Sequence, residues 1–239
     1  MTEERAGAPR IVIHGAGRMG QQVAEQAQTQ GLDVIAMVSR HHPGALPDVH
    51  WQPGLEGLER TPDLLVDFSL PAGTSSAARW CVQHRVPLLS GTTGLDSTQN
   101  DRLNKASEQI AVLHAANFSP GLNALLGALA HIGQWLPEIE SATITDIHHV
   151  DKKDAPSGTA LALAQVLEPL QSAFESQREG SVVGKHVVNL QLPGEHLSLA
   201  HTATNRSVFA RGALQAGRWL VRQPPGRYSA LFLLTGKQV

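Results

Sequence analysis

The chain has few of the features that mark the more specialised classes of protein. Its 239 residues contain a single cysteine, Cys81, so no disulfide can form within the chain. No apolar run approaches the length of a membrane span, and the N-terminus lacks the apolar core of a signal peptide, so we expect a cytoplasmic protein with no membrane partner. The formal net charge is −2 and the basic residues are scattered, which argues against nucleic-acid binding.

Strand and helix patterns alternate through the first half of the chain. Short apolar strands are predicted at 10–14, 34–38, 64–68, 86–90 and 110–114, and helices at 21–30, 73–84 and 97–107. The segment 41–62 is rich in proline and glycine and is predicted to be loop. This repetition favours the α/β class, with a Rossmann-like, doubly wound parallel sheet.

A glycine-rich turn separates the first strand from the first helix. It consists of Gly15, Ala16, Gly17, Arg18, Met19 and Gly20. In such a turn the first glycine permits the bend, the second lets backbone approach a pyrophosphate, and the third lets the helix pack close to the strand. The G-x-G-x-x-G pattern alone is weak, but its position between a strand and a helix favours dinucleotide binding over a purely structural turn.

The second strand ends at Ser39, Arg40, His41 and His42, where a dinucleotide-binding sheet discriminates between cofactors. An acidic side chain there would accept hydrogen bonds from the ribose 2′-hydroxyl of NAD, and none is present. Serine and arginine can instead receive a 2′-phosphate, so we predict that NADPH is well tolerated. For His41 and His42, a solvent-exposed basic loop is an equally good interpretation.

Two more loops follow predicted strands at the same edge of the sheet. They are Gly91-Thr92-Thr93-Gly94 after the fourth strand and Ala115-Ala116-Asn117-Phe118-Ser119-Pro120-Gly121 after the fifth. Small residues and hydroxyl groups would suit a nicotinamide pocket, but turns need the same residue types, so each loop alone also fits a structural role.

The most informative stretch begins at His148 and ends at Ala160. A β-branched, alternating segment at 142–147 is predicted to be a strand that delivers His148 and His149 to its end. A helix is predicted to begin near Ser157, and its unpaired backbone N–H groups would bind a carboxylate or phosphate. A solvated basic loop is the alternative interpretation. Adjacent histidines on a strand point to opposite faces, so we predict no metal site between them.

Together, these segments resemble the dihydrodipicolinate reductase family, also described as 4-hydroxy-tetrahydrodipicolinate reductases of the diaminopimelate route to lysine. Residues 148–160 match the family pattern H-H-x-x-K-x-D-A-P-S-G-T-A at every fixed position, and the resemblance covers most of the chain. Supporting matches are Gly17-Arg18-Met19-Gly20, Asp67-Phe68-Ser69-Leu70-Pro71, Gly91-Thr92-Thr93-Gly94, Ala115-Ala116-Asn117-Phe118-Ser119 and Phe209-Ala210-Arg211-Gly212-Ala213-Leu214.

The resemblance implies the reduction of a cyclic dicarboxylate, 4-hydroxy-tetrahydrodipicolinate, by NADPH or NADH. It makes His148 the proton donor or acceptor and Lys152 a proton donor. It assigns the substrate carboxylates to His149, Ser157, Gly158 and Thr159. It places the cofactor against residues 15–20, Arg40, Gly91, Thr92, Thr93, Ala115, Ala116, Asn117 and Phe118. Such a reduction needs a hydride at one carbon and a proton at its neighbour, which a histidine and a lysine can supply.

For the architecture, we expect a dinucleotide-binding domain at 1–119 and 207–239, with an inserted α+β substrate-binding and oligomerisation domain at 120–206. Strands around 142–149, 182–192 and 195–204 should form an open mixed sheet, and the resemblance implies a homotetramer built on such sheets. The chain departs from the family pattern at three places. Ser39 replaces an acid of many members, Lys185 replaces the acid of a G-E-H triplet, and the segment between Val166 and Val183 is short, so part of the sheet should be missing.

Two other functions are compatible with parts of this pattern. One is an NAD(P)-dependent reductase of another small imine or oxo-acid. The other is a nucleotide-sensing protein that has lost turnover, for which the intact pair His148 and Lys152 gives no support.

Overall fold

The computed structural model describes residues 8–44 and 49–229. Residues 1–7 and 230–239 of the expected nucleotide-binding domain, and positions 45–48 of the predicted loop, lie outside the described residues. None of the helices in the described ranges has the length and apolar character that crossing a bilayer requires.

The first half of the chain alternates strands with helices, as predicted. In order, its elements are β1 (Arg10–His14), α1 (Arg18–Thr29), β2 (Asp33–Val38), β3 (Trp51–Gln52), a 3-10 turn (Leu55–Gly57), β4 (Leu64–Asp67), α2 (Pro71–His84), β5 (Leu88–Ser90), α3 (Ser97–Ser107) and β6 (Ala111–His114). Helix α3 begins with a capping box, in which the Asp96 carboxylate accepts from the Gln99 N–H.

These strands and β11 (Gly226–Tyr228) form one seven-stranded sheet in the order β11-β6-β5-β4-β1-β2-β3. Every pairing in it is parallel. Helix α1 and a later helix, α6 (Ser207–Leu220), cover one face of the sheet, and α2 and α3 cover the other. The predicted Rossmann-like, doubly wound fold is therefore confirmed. Its strand order reverses between β1 and β4, where such sheets bind their ligands.

Two details of the first half differ from the predictions. Helix α1 begins at Arg18, so the last three residues of the predicted turn form its first turn. The segment 41–62 is not all loop, because Trp51 and Gln52 pair with Met37 and Val38 as an edge strand. A strand of two residues shows too little alternation to be recognised in a sequence rich in proline and glycine.

The second half builds a separate four-stranded sheet. Its elements are α4 (Pro120–Trp135), β7 (Ser141–His148), α5 (Gly158–Val166), β8 (Ser172–Arg178), β9 (Gly184–Leu192) and β10 (Glu195–Ala203). The strand order is β10-β9-β7-β8, with β8 parallel to β7 and the other pairs antiparallel. The sheet is mixed and open, as predicted, and α4 and α5 pack on one of its faces.

No strand was predicted in the short segment between Val166 and Val183, but the structure has one there. Strand β8 lies in that segment and pairs along its whole length with β7. Most of β8 is exposed, and it contains one large apolar residue, Phe174. An edge strand with so little apolar alternation gives almost no signal in a sequence.

At the cofactor-binding edge of the large sheet, the Asp67 carboxylate is fully buried at the end of β4. It accepts hydrogen bonds from side chains on five neighbouring segments: His14 at 3.0 Å, Ser69 at 2.6 Å, Thr74 at 2.6 Å, Ser90 at 2.8 Å and Thr92 at 3.1 Å. Burial opposes ionisation, but the contacts with His14, Ser69 and Thr74 outweigh it and lower the pKa of Asp67. This carboxylate therefore holds together the ends of β1, β4 and β5 and the start of α2.

We predict that Asp67→Asn lowers the free energy of unfolding by about 3 kcal/mol at pH 7, because an amide cannot accept from all of these donors. A folded-state pKa below the ordinary Asp value of about 3.9 means that the carboxylate stabilises the fold above that pH. The stabilisation is lost as the pH falls through the folded-state pKa. Urea unfolding of both proteins between about pH 7 and pH 3.5 should therefore show the difference narrowing towards acid.

Asp63→Asn is the matched control. Asp63 pairs with Arg10 at 2.8 Å, but its side chain is 41% exposed, so we expect a smaller loss. An Asp67→Asn variant as stable as the Asp63→Asn variant would contradict the role given to Asp67.

Candidate active site

The glycine turn after β1 has the shape that a dinucleotide pyrophosphate requires. Gly15 has φ +102°, and a Cβ there would lie 2.5 Å from the Phe68 carbonyl oxygen. A Cβ at Gly20 would collide with the Gly15 carbonyl, whereas a Cβ at Gly17 would meet nothing within 4 Å. Helix α1 has no side-chain N-cap and no acid in its first turn. The positive end of α1 is therefore available to an anion beside an open backbone surface at Gly17.

The other residues of this turn have different positions. Met19 packs against the core of the large sheet, and the Ala16 carbonyl accepts from Gln21 Nε2 at 3.2 Å. Arg18 is exposed. It lines a cleft of about 660 Å³ together with Arg206 and Asn205, which lie where the chain returns from β10 to α6. Arg18 thus brings positive charge from the glycine turn towards the second sheet.

Beyond β2, Arg40, His41 and His42 are exposed, as a cofactor-discriminating loop or a solvated basic loop would be. Ser39 Oγ donates to the His41 carbonyl at 2.6 Å, and the Trp51 indole N–H donates to the Ser39 carbonyl at 3.1 Å. The edge strand β3 therefore fixes the backbone from which Arg40 projects.

The loop after β5 divides into a supporting part and an accessible part. Thr92 is buried, and its hydroxyl donates to Asp67. Any side chain at Gly91 would collide with the Phe68 ring, so the backbone must pass close to that ring. Thr93 is exposed. Of these residues, Thr93 exposes its side chain at the surface, whereas Gly91 and Thr92 determine the path of the loop.

The loop after β6 touches the second sheet's helix α5. Asn117 Nδ2 donates to Thr159 Oγ1 at 3.3 Å, and a Cβ at Gly158 would lie 3.3 Å from Cβ of Ala116. Ala115 packs against the core of the large sheet, and Phe118 is buried beside Phe68. The predicted cofactor loop and the predicted substrate helix are therefore direct neighbours.

His148, the last residue of β7, is 8% exposed. Its Nδ1 lies 2.8 Å from Oδ1 of Asp146, two residues earlier on the same face of the strand. On its other side, a Cβ at Gly184 would lie 3.2 Å from Nε2. Nε2, the ring nitrogen that does not face Asp146, therefore packs close to the Gly184 backbone, where a side chain would be crowded.

His149 lies just beyond the strand, with Nδ1 3.9 Å from the Asp151 carboxylate. Burial and the positive charges of Arg18 and Arg206 lower the pKa of His149, and Asp151 opposes them. A lowered pKa favours the neutral ring near pH 7, which can donate one hydrogen bond to a substrate carboxylate without adding charge.

The loop that follows holds Lys152 in place by its backbone. The Lys152 N–H donates to the His149 carbonyl at 3.1 Å, and its Nζ pairs with Asp154 at 2.9 Å. Arg178, the last residue of β8, donates through Nε to the Lys152 carbonyl at 3.1 Å and through Nη2 to the Asp154 carbonyl. Burial raises the pKa of Asp154, but the hydrogen bond and charge of Lys152 outweigh burial, so the net shift is downward. The ionised Asp154 therefore balances the charge of the Lys152 ammonium.

Helix α5 begins at Gly158 with Ser157 as its N-cap. Ser157 is buried, and its hydroxyl accepts from the Ala160 N–H at 3.2 Å. Its own N–H donates to Asp146 Oδ2 at 3.4 Å. Ser157 is therefore engaged in building the helix end, which leaves the N–H groups of Gly158 and Thr159 as the first that can meet an anion.

Residues that sequence reasoning missed complete this site. Asp146 and His186 lie beside His148, Arg178 donates to the Lys152 carbonyl, and the charge of Arg206 acts on His149. Asp146 could have been found, because a period of two places it on the face of His148. Arg178 could not, because β8 itself was not predicted.

By spacing, three of these side chains could also bind a metal. Asp146, His148 and His186 bring one ligand atom each to within 4.8 Å of one another among the described residues. However, Arg178 Nη1 lies 3.4 Å from the same carboxylate, so a cation already balances its charge. The cluster needs no metal to account for it. His148 lies beside Asp146, and His149 lies near a different carboxylate, that of Asp151.

Comparison with known families identifies both halves of the chain. Residues 9–118 match the family model "Dihydrodipicolinate reductase, N-terminus", and residues 121–234 match "Dihydrodipicolinate reductase, C-terminus". The two models meet within the loop between β6 and α4.

Curated relatives extend over nearly the whole chain. The 4-hydroxy-tetrahydrodipicolinate reductase of Xylella fastidiosa (strain 9a5c) is 41% identical over 230 residues, which cover 92% of this chain and 95% of the relative. The enzyme of the same name from Xanthomonas euvesicatoria pv. vesicatoria (strain 85-10) is 40% identical over 228 residues, with the same coverage.

Solved structures share the fold. A dipicolinate-bound dihydrodipicolinate reductase from Paenisporosarcina sp. TG-14 has a TM-score of 0.77 at 21% identity and covers 95% of this chain and 100% of its own. An aspartate dehydrogenase from Thermotoga maritima has a TM-score of 0.57 at 12% identity, covering 90% and 97%. The family models and the curated relatives together show that this chain belongs to the dihydrodipicolinate reductase family of NAD(P)H-dependent oxidoreductases.

Proposed function

We propose that this chain catalyses the NAD(P)H-dependent reduction of 4-hydroxy-tetrahydrodipicolinate to tetrahydrodipicolinate in the diaminopimelate route to lysine. Membership of the family supports the reaction class. The structural observation that supports it best is the meeting of His148, Lys152 and the start of α5 beside Asn117 of the loop after β6. This places a proton source and an anion-binding helix end next to the nucleotide-binding sheet.

When bound, NADH or NADPH supplies the hydride. The chain must then anchor a dicarboxylate, deliver a proton to the atom next to the reduced carbon, and allow the 4-hydroxyl to leave as water. The balance is one hydride and one proton taken up and one water released.

Anchoring is assigned to groups that can neutralise carboxylates. The N–H groups of Gly158 and Thr159 lie at the positive end of α5, and His149 adds one further donor. Ser157 caps the helix by accepting from the Ala160 N–H, and its own O–H can still donate to a substrate carboxylate. Arg18 and Arg206 add a positive field around His149.

Proton delivery is assigned to His148 and Lys152. His148 Nε2, the ring nitrogen turned away from Asp146, is the atom assigned to exchange the proton. Lys152 must exchange its contact with Asp154 for the substrate, and because that pair is partly exposed the exchange costs little. The cofactor is assigned to residues 15–20, Arg40, the loop at 91–93 and the loop at 115–118, where Gly17 and the uncapped start of α1 fit a pyrophosphate.

We predict that His148→Gln and Lys152→Ala each lower kcat by roughly 10²-fold or more, the usual scale for loss of a general acid. Steady-state assays with the enzymatically generated cyclic imine would measure this, and cofactor affinity should change little. Turnover of other small oxo-acids should be slower than that of the cyclic imine in the same assay.

Lys153→Ala is the matched control, because Lys153 is a neighbouring surface lysine that the family pattern leaves variable. It should be mild. Equal and mild effects of all three substitutions would overturn the assignment of the active site, and a severe effect of Lys153→Ala alone would show that the register of the loop is wrong.

We predict that NADPH binds at least as tightly as NADH. No carboxylate stands at Ser39, and the exposed Arg40 guanidinium can receive a 2′-phosphate. Titration of the protein with each cofactor measures the two dissociation constants. An NADPH constant more than about tenfold weaker would contradict the prediction.

Ser39→Asp is a converse test of the same prediction, because its carboxylate can accept hydrogen bonds from the ribose 2′-hydroxyl of NADH and would repel a 2′-phosphate. It should shift preference towards NADH. Asp33→Asn, at the far end of the same strand and exposed, is a charge control that should leave the ratio unchanged.

We also propose the division into a nucleotide-binding domain at 1–119 and 207–239 and a substrate-binding domain at 120–206. The pairing of β11 with β6 and the packing of α6 beside α1 support the return of the chain to the first domain. A cytoplasmic location belongs to the same proposal.

We predict a homotetramer of about four times the 25.5 kDa chain mass. In support, α4 and α5 pack on one face of the four-stranded sheet, and the opposite face, where Thr145 and Asn189 lie, is not covered by these helices. Light scattering after size exclusion measures the mass. A monomeric mass at micromolar concentration would contradict this assembly.

A further inference from the structure

Asp146 is the most buried charge in the second sheet that the proposed mechanism does not use. It is 0% exposed and lies on β7 between two strands, with His186 of β9 on one side and Arg178 of β8 on the other. Burial of an isolated carboxylate is strongly unfavourable, so its surroundings must compensate it. Burial raises the pKa of Asp146, but contacts with His148, His186 and Ser157 lower it far below the ordinary range.

The two oxygens of this carboxylate face different partners. Oδ2 lies 3.4 Å from Arg178 Nη1 and accepts from the Ser157 N–H at 3.4 Å. Oδ1 lies 2.8 Å from His148 Nδ1 and 3.5 Å from His186 Nε2. One oxygen is thus committed to fixed donors, and the other faces the rings of two histidines.

The contact with His148 decides which ring nitrogen holds the proton of the neutral imidazole. His148 Nδ1 and Asp146 Oδ1 approach to 2.8 Å but lack the alignment of an ideal hydrogen bond. His148 Nδ1 has no other hydrogen-bond partner among the described residues. An unprotonated Nδ1 would point a lone pair at a carboxylate in a site with little water. A proton on Nδ1 turns that repulsion into attraction, and Nε2 is then the basic nitrogen.

We propose that Asp146 is a positioning residue for the reduction: it holds the proton of His148 on Nδ1, so that Nε2, the nitrogen turned away from Asp146, exchanges a proton with the substrate. This proposal rests on the proposed function of His148. It adds that the same carboxylate, through the Ser157 N–H and Arg178, ties His148 to the substrate-anchoring helix and to the loop of Lys152.

An amide at this position would reverse the arrangement. In Asp146→Asn, the carbonyl oxygen must replace Oδ2, because both Arg178 and the Ser157 N–H are donors and cannot face an NH₂ group. The NH₂ group then occupies the position of Oδ1 and points its hydrogens at His148. His148 Nδ1 must accept, so the proton of the neutral ring moves to Nε2 and the nitrogen beside Gly184 loses its basic lone pair. The helix end keeps its contact with Ser157, so substrate anchoring should be preserved.

Nitrogen-15 spectra of the full chain labelled at histidine test this directly. The signals of His148 are identified as those lost in His148→Gln, since the chain has 12 histidines. We expect the wild-type neutral ring to carry its proton on Nδ1 and the Asp146→Asn ring to carry it on Nε2. In parallel, kcat of Asp146→Asn should fall roughly 10²-fold or more, while KM for the imine and the NADPH dissociation constant change less than about threefold.

Two further variants separate positioning from stability. Asp146→Glu keeps an acceptor and should retain more of kcat than Asp146→Asn. Asp63→Asn, which removes a carboxylate from a half-exposed ion pair on the large sheet, should leave both the His148 spectrum and kcat unchanged. A wild-type His148 protonated on Nε2 would overturn the proposal, even if Asp146→Asn fails to fold. So would an Asp146→Asn variant with the wild-type tautomer and a kcat within about threefold of wild type.

The spectra need no turnover, so they also separate this inference from the proposed function. A wild-type chain that does not reduce the cyclic imine would overturn the function. The expected Nδ1 proton would in that case still hold as a property of the Asp146 contact.

Discussion

The active site depends on one physical constraint, which is that a carboxylate buried at the end of a strand must be surrounded by donors. Asp67 meets this constraint in the large sheet and Asp146 in the small one, and both side chains are fully buried. The donors come from the segments that would touch the ligands: Ser69 and Thr92 around Asp67, and Ser157 beside Asp146. Loops that connect strands are ordinarily variable in conformation, but here their hydroxyl and N–H groups are needed to compensate a buried charge. The site is therefore as rigid as the interior of the fold to which it is attached.

The contacts between the two halves are of a different kind. Asn117 reaches Thr159 at 3.3 Å, and Ser119 reaches His201 at 3.0 Å, and in each pair a buried hydroxyl meets a partly exposed side chain. Neutral hydrogen bonds of this kind contribute about 1 kcal/mol each, far less than the buried charges within each half. This is the arrangement expected of an enzyme whose two ligands are held on different sheets and must be brought together before the hydride moves.

The sequence predicted those parts of the molecule whose signal is local. The strands β1, β2, β4 and β6, the glycine turn, and the start of α5 at Ser157 each depend on a few adjacent residues, and all were found within a few positions. Strand β8 and the two-residue β3 were not found, because an edge strand is held by its neighbour's backbone and needs little apolar alternation. Arg178 was missed for the same reason, since its role exists only once β8 pairs with β7. The family pattern singled out His148 and Lys152 but not the network around them. Asp146 contacts Arg178 and His186, which are far from it in the sequence, and a local pattern does not record such contacts.

The residues proposed for proton transfer and those proposed for cofactor choice differ in exposure. His148 and Asp146 are buried, and a change at Asp146 acts on its contacts with Arg178, His186 and Ser157 as well as on His148. Arg40, His41 and His42 are exposed, and only Ser39 beneath them is tied to the fold, by its contact with Trp51. A substitution in that loop costs little stability, because exposed side chains make few contacts that the fold requires. Substitution of the residues proposed to choose the cofactor should therefore cost the fold less than substitution of the residues proposed for proton transfer.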